Sequence, residues 1–317
     1  MKDKSGFLPI SKINEHSSTV TSLLLLQDGR LASSSSDKTI KVFDLSNDFH
    51  CDITLLGHTD RVYFLSQLDN GLLLSCSADH QIKIWSLSLF DYFCEYTIQD
   101  AHSDSIYKVI PITDKRIASC SKDQTIKIWS SETFMLMKVL EGHTKDVRSV
   151  IQINNREMLI SGSYEDGTLR FWNLETYQCQ SVIKGVYCDT RNSLMQVDED
   201  KVLVGYDDKI YIIDIKNYKI EREIEDYRVV NFSCFAMMKK GTIVCGGNGR
   251  TLYLKEDDEE DSLHCDGVLC EFDIESWRFL NVQEKAHEDI ILTLLKIGDD
   301  TIISGSEDTT MQIWKVH

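Results

Sequence analysis

Only two of the 317 residues are proline, so the chain has no proline-rich linker. It also lacks an apolar run long enough to cross a bilayer. The opening stretch MKDKSGFLPI has no apolar core of a secretory signal. The ten cysteines follow no regular spacing that would suggest a disulfide framework. These absences predict a reducing compartment, the cytoplasm, with the nucleus or a cilium as alternatives.

Basic residues are also scarce, with 34 Lys and Arg against 51 Asp and Glu and a formal net charge of −17. Such a chain repels phosphate backbones and anionic lipid, so we expect its partners to be proteins rather than nucleic acid or membranes. The sequence contains no Walker loop, no G-x-S-x-G and no H-E-x-x-H motif. We therefore predict no enzyme activity, no cofactor and no metal site.

What the chain does have is a recurring sequence motif: LASSSSDKTIKVFD, LLSCSADHQIKIWS, IASCSKDQTIKIWS and IISGSEDTTMQIWK. In each copy of the motif, a serine lies four residues before an aspartate, and an aromatic residue lies six residues after that aspartate. A histidine precedes the units at His16, His58, His102 and His143, at intervals of 42, 44 and 41 residues. The chain is therefore built from internal repeats of about 40 residues.

Each unit holds four short apolar segments separated by polar turns. After His102 the segments are IYKVIPI, RIASCS, TIKIWS and FMLMKVLE. Their β-branched and aromatic residues predict four strands of one small antiparallel sheet. Such a sheet has two apolar faces, and packing sheets side by side in a ring buries both of them.

The sequence Gly-His, Ser, Asp and Trp at a period near 40 resembles the WD40 repeat family. The resemblance implies an all-β, seven-bladed propeller whose first strands start near residues 20, 62, 106, 147, 191, 231 and 291. It also implies a buried chain of hydrogen bonds among the four residues of each blade. The full sets are His58, Ser75, Asp79 and Trp85; His102, Ser119, Asp123 and Trp129; and His287, Ser304, Asp308 and Trp314.

Four units depart from the full set. The first has Phe43 in place of Trp, and the fourth has one extra residue, so that either Glu165 or Asp166 takes the Asp role. The fifth keeps Asp207 with Ile213 at the Trp position, and the sixth has Asp266 and Phe272 but no His.

We predict a single propeller domain over residues 1–317. Residues 6–15 are expected to supply the missing fourth strand of the last blade and to close the ring, which removes free sheet edges. The expected blades cover residues 16–57, 58–101, 102–142, 143–186, 187–227, 228–286 and 287–317. The sixth blade carries an acidic insertion, residues 247–265, between its second and third strands. We interpret this insertion as a solvated loop or, alternatively, as a contact for a basic partner.

The recurring Ser, His and Asp are interpreted as structural rather than as a hydrolase triad, because they recur in five units. Partner binding is instead expected on the top face near the central channel, where related propellers often hold peptides. Carried over to this chain, the positions include Arg61, Tyr63, Tyr107, Lys122, Arg148, Glu165, Tyr206 and Phe232. Tyr and Arg commonly anchor interfaces. The basic and aromatic sector predicts a partner that carries acidic groups.

These features predict a protein-interaction scaffold or adaptor, a monomeric propeller that works within a complex. One alternative is a permanent structural subunit of a large cytoskeletal or ciliary assembly. Another is a ubiquitin-ligase substrate receptor. The endings of the third strands do not match the aromatic-Asp-x-Arg/Lys pattern of the relatives that cullin ligases use.

Overall fold

The computed structural model describes residues 6–46, 49–88, 91–154, 156–226, 228–238, 241–249 and 266–317. These residues form 28 strands, and the described part of the chain contains no helix. The strands make seven four-stranded antiparallel sheets. The prediction of an all-β, seven-bladed propeller is confirmed.

Six blades are made of four consecutive strands each. Blade one contains β2 (Val20–Leu25), β3 (Leu31–Ser35), β4 (Ile40–Asp44) and β5 (His50–Leu55). Blade two contains β6 (Val62–Gln67), β7 (Leu73–Ser77), β8 (Ile82–Leu87) and β9 (Tyr92–Ile98). Blade three contains β10 (Ile106–Ile112), β11 (Arg116–Ser121), β12 (Ile126–Ser130) and β13 (Leu136–Leu140). Blade four contains β14 (Val147–Gln152), β15 (Met158–Ser163), β16 (Thr168–Asn173) and β17 (Cys179–Lys184).

Blade five contains β18 (Leu194–Gln196), β19 (Lys201–Tyr206), β20 (Lys209–Asp214) and β21 (Lys219–Glu225). Blade six contains β22 (Val229–Met237), β23 (Thr242–Gly249), β24 (Gly267–Asp273) and β25 (Arg278–His287). Blade seven combines β26 (Ile291–Lys296), β27 (Thr301–Ser306) and β28 (Met311–Val316) with the N-terminal strand β1 (Phe7–Ile13).

The N-terminal strand closes the ring. Strand β1 pairs antiparallel with β28, from Phe7 opposite Val316 to Ile13 opposite Met311. Phe7 is buried in a cluster with Trp314, and Ile13 is buried beside the first strands of blade one. The predicted closure by the N-terminal segment is confirmed, and it covers the edge that β28 would otherwise expose.

The first strand of each blade lies innermost, and neighbouring first strands contact one another around the ring. Side chains on these strands join adjacent blades by hydrogen bonds: Thr21 Oγ1 donates to the Val62 carbonyl over 2.6 Å, and Ser66 Oγ donates to the Val109 carbonyl over 2.9 Å. The apolar core lies between the blades, in seven clusters that each combine side chains of adjacent sheets. A single blade would leave both faces of its sheet in water.

Blades five and six replace the hydrogen-bonded set with apolar packing. In blade five, Leu203 and Ile213 are fully buried. In blade six, Cys245 lies at the register position that Ser119 has in blade three, and it is buried with Phe272. The first strand of blade five begins at Leu194, later than the expected residue 191. Strands β23 and β24 flank the insertion, of which residues 250–265 lie outside the described part of the chain.

Candidate functional site

A buried chain of hydrogen bonds ties the turns of a blade to its middle strands. In blade three, Trp129 Nε1 donates to Ser119 Oγ over 2.9 Å. Ser119 Oγ lies 2.7 Å from His102 Nε2, and His102 Nδ1 lies 2.8 Å from Asp123 Oδ2. These contacts fit a neutral histidine that donates a hydrogen bond from Nδ1 to the carboxylate and accepts one from the serine hydroxyl at Nε2. Burial lowers the pKa of His102, which favours this neutral form.

The same chain of contacts recurs in blades two, four and seven, through His58, Ser75, Asp79 and Trp85; His143, Ser161, Asp166 and Trp172; and His287, Ser304, Asp308 and Trp314. Blade one has the contacts of His16 with Asp37 and Ser33 but no indole donor, since Phe43 replaces Trp. The serines Ser33, Ser75, Ser119, Ser161 and Ser304 are fully buried. A substrate has no access to hydroxyl groups buried in this way, which supports the interpretation of the sets as structural.

In blade four the structure distinguishes between the two candidate acids. Asp166 Oδ2 lies 2.8 Å from His143 Nδ1, and its other oxygen accepts hydrogen bonds from Thr168. Burial works to raise the pKa of Asp166, but the hydrogen bonds from His143 and Thr168 outweigh it and hold this pKa well below its usual range. Glu165 is exposed and pairs with Lys145 at 3.1 Å.

A cavity of about 520 Å³ opens at the end of the ring where the histidine loops lie. All seven blades contribute to it, so it lies on the central axis, and we call it the channel mouth. Its lining comprises Ser18, Thr19, Ser36, Arg61, Tyr63, Tyr107, Arg148, Asp189, Thr190, Arg191, Asn231, Ile290, Leu292 and Glu307. Four of the eight residues that we predicted for partner binding are among them: Arg61, Tyr63, Tyr107 and Arg148.

β-Bulges aim three of these side chains at the channel mouth. The register of the first two strands skips Tyr63 in blade two, Tyr107 in blade three and Arg148 in blade four. A bulge leaves one residue out of the ladder and redirects its side chain. The same skip occurs near the start of the first strands of blades one and seven, so the bulge is a repeated feature of the ring.

The aromatic and basic side chains of the channel mouth stack on one another. The guanidinium carbon of Arg148 lies 4.8 Å from the centre of the Tyr107 ring, and that of Arg191 lies 4.4 Å from the centre of the Tyr63 ring. The two tyrosine rings are 5.6 Å apart. These contacts hold two flat cations beside two rings, and cation–π pairing of this kind fixes the direction of the guanidinium.

Arg191 was missed in the sequence analysis. Strand β18 begins only at Leu194, and the segment before it, which contains Arg191, lines the channel mouth. Burial lowers the pKa of this guanidinium. The degenerate fifth repeat offers no local signal that would have identified Arg191.

The carboxylates at or beside the channel mouth either have a partner within the protein or are disfavoured in their charged form. Asp146 pairs with Arg148 at 2.6 Å, and Asp189 accepts a hydrogen bond of 3.0 Å from Asn231. Burial, together with the nearby Asp289, raises the pKa of Glu307. Within the described residues, neither Arg61 nor Arg191 has a carboxylate within ion-pair distance.

The remaining predicted residues lie elsewhere on the top face. Lys122 is exposed and pairs with Asp104 at 3.7 Å. Tyr206 packs against Tyr187 and Tyr164, with ring centres 5.0 and 5.9 Å apart. The Tyr164 ring also lies 5.9 Å from the guanidinium carbon of Arg148, so the tyrosine cluster extends outward from the channel mouth.

The prediction for Phe232 was wrong. Strand β22 has two register shifts, one between Val229 and Asn231 and a second between Phe232 and Cys234. Asn231 consequently lines the channel mouth, whereas Phe232 is fully buried in the core between blades five and six. It stacks there on Phe279 at 5.8 Å and cannot contact a partner.

A buried lysine lies on the inner strand of blade three. Lys108 Nζ donates to the Arg191 carbonyl over 2.9 Å and to Ser149 Oγ over 3.3 Å, and it lies 5.0 Å from the centre of the Phe64 ring. Burial lowers the pKa of this amine to about 8. Its contacts within the described residues are neutral oxygens and an aromatic ring, so the ammonium has no carboxylate to balance its charge.

Comparison with known proteins agrees with this geometry. The family model described as "WD domain, G-beta repeat" matches residues 7–44, 49–86, 93–130 and 134–173. The chain is a seven-bladed WD40-repeat propeller. Each matched repeat begins at or just before the outer strand of one blade and ends on the third strand of the next, so each of the four matches spans two blades.

The propeller is also similar to a solved structure, the "WD40 beta propeller domain of Doa1". The TM-score is 0.80 at 18% sequence identity, and the match covers 98% of each chain. At this identity the likeness shows the fold alone. No curated protein matches the chain by sequence.

WD40 propellers generally mediate protein–protein interactions and are generally non-catalytic scaffolds. Within the described residues, no helix has the length and apolarity to span a membrane. The same part of the chain holds no group of three His, Cys, Asp or Glu side chains suited to a metal ion.

Proposed function

We propose that this WD40-repeat propeller is a non-catalytic scaffold or adaptor that binds an acidic segment of a partner protein at the channel mouth. One observation carries the proposal. The guanidinium groups of Arg61 and Arg191, which have no carboxylate within ion-pair distance among the described residues, line the same cavity as Tyr63 and Tyr107. Arginine and tyrosine are the residue types that most often supply binding energy at interfaces.

The chemistry of the cavity favours a carboxylate or phosphate group. A guanidinium presents a planar fork of donors that matches either anion, and its bond to the anion is strengthened by charge. Tyr63 and Tyr107 hold the neighbouring cations by stacking, which reduces the conformational entropy that binding would otherwise cost. The apolar faces of the two rings can also cover the backbone of a bound segment.

The surrounding charge restricts which partners can bind. The chain as a whole carries a formal net charge of −17, so a strongly acidic partner is repelled at a distance. A short acidic motif can pair with the local arginines. A neutral or basic partner around that motif is not repelled by the net negative charge of the chain. We therefore propose a segment with one or two acidic side chains rather than a long acidic tail.

Peptide binding tests this function. The probe is a fluorescein-labelled peptide with two acidic residues, GSGEADGSG, with GSGKAKGSG as the opposite-charge comparison, and the readout is fluorescence anisotropy. We expect Arg61→Ala to weaken binding of the acidic peptide about tenfold, as removal of an interface arginine commonly does. Arg222→Ala is the matched control, because Arg222 is exposed on an outer strand of blade five.

Three results would contradict the proposal. The first is that the acidic peptide does not bind. The second is equal binding of the lysine peptide. The third is that Arg222→Ala weakens binding as much as Arg61→Ala, which would mean that any arginine on the surface attracts the probe.

A further inference from the structure

A second surface lies between blades two and three, at the end of the ring opposite the channel mouth. A cavity of about 540 Å³ opens there between the turn that joins β6 to β7 and the turns that follow β10 and β12. We call it the lower cleft. Its apolar lining includes Leu68, Leu72, Ile112 and Phe134. No part of the proposed channel-mouth function uses these residues.

Phe134, which lines the lower cleft, belongs to an aromatic pair. The rings of Phe134 and Tyr96 stack with centres 5.1 Å apart and planes inclined by 26°. Phe134 has φ of +56°, a backbone conformation that large side chains rarely adopt. Tyr96 comes from the neighbouring blade and is 46% exposed, so the stacked pair remains open to solvent on its outer side.

The equivalent aromatic residues of the next two blades have different partners. Tyr177 and Tyr218 occupy the same kind of turn, again with positive φ. The Tyr177 hydroxyl accepts a hydrogen bond of 3.3 Å from Arg116, and Tyr218 packs edge-on against the Phe171 ring at 4.9 Å. Phe171 is fully buried, whereas Tyr96 is not. The open stack is therefore particular to blades two and three among these three pairs.

Exposed apolar side chains extend the lower cleft along the outer strands of both blades. Tyr92 and Phe93 precede Tyr96 on β9, and the residues after Phe134 are Met135, Leu136 and Met137. These five side chains are between 48% and 69% exposed. Exposed apolar side chains near a cleft are typical of interaction sites, and methionine adapts to partners of irregular shape.

The charge around the lower cleft indicates the chemistry of the partner. Four carboxylates line it: Asp69, Glu95, Asp114 and Glu132. Its two basic side chains already have partners, since Lys115 pairs with Glu132 at 2.5 Å, and Arg116 pairs with Asp114 at 3.1 Å and with Glu157 at 2.8 Å. Asp69 and Glu95 are exposed and have no cationic partner within the described residues.

We propose that the lower cleft binds a partner-protein segment that inserts one bulky apolar side chain beside the Tyr96–Phe134 pair and places Lys or Arg residues against Asp69 and Glu95. The apolar side chain gains contact area from the rings and the leucines of the lining. The Lys or Arg residues on either side pair with Asp69 and Glu95, which have no cationic partner among the described residues. The charge preference is opposite to that of the channel mouth, so the two surfaces select different segments.

A defined peptide tests this inference. The probe is acetyl-GKKWKKG-amide, compared with acetyl-GEEWEEG-amide and acetyl-GKKAKKG-amide. Binding is followed by the NMR signals of ¹³C-methyl methionine, because Met135 and Met137 are exposed and lie one and three residues after Phe134. We expect saturable shifts of these two signals with the first peptide, and at least about tenfold weaker binding of the other two.

Charge reversal identifies the carboxylates. Asp69→Lys/Glu95→Lys should weaken binding of the lysine and tryptophan peptide about tenfold. Glu175→Lys/Glu199→Lys makes the same change in net charge at exposed turns of blades four and five, and it should leave the affinity within about twofold of the unaltered protein. Equal urea midpoints of the variants would show that the fold is retained.

Several outcomes would overturn the proposal. They are unchanged Met135 and Met137 signals at millimolar peptide, equal binding of the glutamate peptide, and equal loss of binding in the control double variant. Sedimentation velocity supplies one more. If the protein dimerises and Tyr96→Ala dissociates the dimer, then a second copy of the chain covers the lower cleft instead of a basic segment.

Discussion

Ser119→Ala tests how much the buried chain of hydrogen bonds stabilises a blade. The substitution removes a hydroxyl that lies 2.9 Å from Trp129 Nε1 and 2.7 Å from His102 Nε2. Both nitrogens are buried, and each would lose its partner at the serine. An unsatisfied buried polar group costs about 1–3 kcal/mol, so the free energy of unfolding should fall by about 4 kcal/mol.

Blade one provides a natural comparison. Ser33 lies 2.7 Å from His16 Nε2, but Phe43 has no indole N–H, so Ser33→Ala leaves only one nitrogen without its partner. We expect a loss of about 2 kcal/mol in this blade. Ser119→Ala in a Trp129→Phe background should then cost about the same as Ser33→Ala, since that background reproduces blade one.

Hydrogen exchange followed by mass spectrometry measures the effect blade by blade. Peptides that cover β11 and β12 report on Ser119→Ala, and peptides that cover β3 and β4 report on Ser33→Ala. Global urea unfolding of the same variants provides the total. The reasoning would be refuted if the two single substitutions destabilised their blades equally, or if the Trp129→Phe background left the cost of Ser119→Ala unchanged.

Three further predictions follow from closure, burial and charge. Deletion of residues 1–15 removes β1 and uncovers β28, so the truncated protein should aggregate; a soluble monomer that unfolds cooperatively would contradict closure. Burial lowers the pKa of His58, His102 and His143, so the unfolded chain binds protons below about pH 6.5 that the folded chain does not. As the pH is lowered from 7.5 to 5.5, the free energy of unfolding should therefore fall by up to about 1.4 kcal/mol per pH unit for each histidine, and the urea midpoint should fall with it; a constant midpoint would contradict this sign. Lys108→Met removes a buried ammonium whose pKa is about 8, so at pH 7 it should stabilise the protein by about 1–4 kcal/mol, with a smaller gain at pH 10, and a loss at pH 7 would refute the assignment.

The repeat shows which parts of the fold can be predicted from sequence. A blade is a local unit, and the spacing between Ser119 and Trp129 places one on the second strand and the other on the neighbouring third strand. The same local reasoning applies to ring closure, because the segment that contains Phe7 has the length and pattern of the missing strand. Periodic burial and short-range hydrogen bonds therefore determine the blades and their number.

The surfaces depend on contacts that no repeat encodes. Arg191 reaches the channel mouth because the first strand of blade five starts late, and Phe232 is buried because its strand has two register shifts. The lower cleft combines Tyr96 with Phe134, which are 38 residues apart and belong to different blades. The sequence by itself determined a seven-bladed ring held by buried hydrogen bonds. Only the tertiary structure decided which side chains meet at its two ends, because bulges and the packing of neighbouring blades direct them.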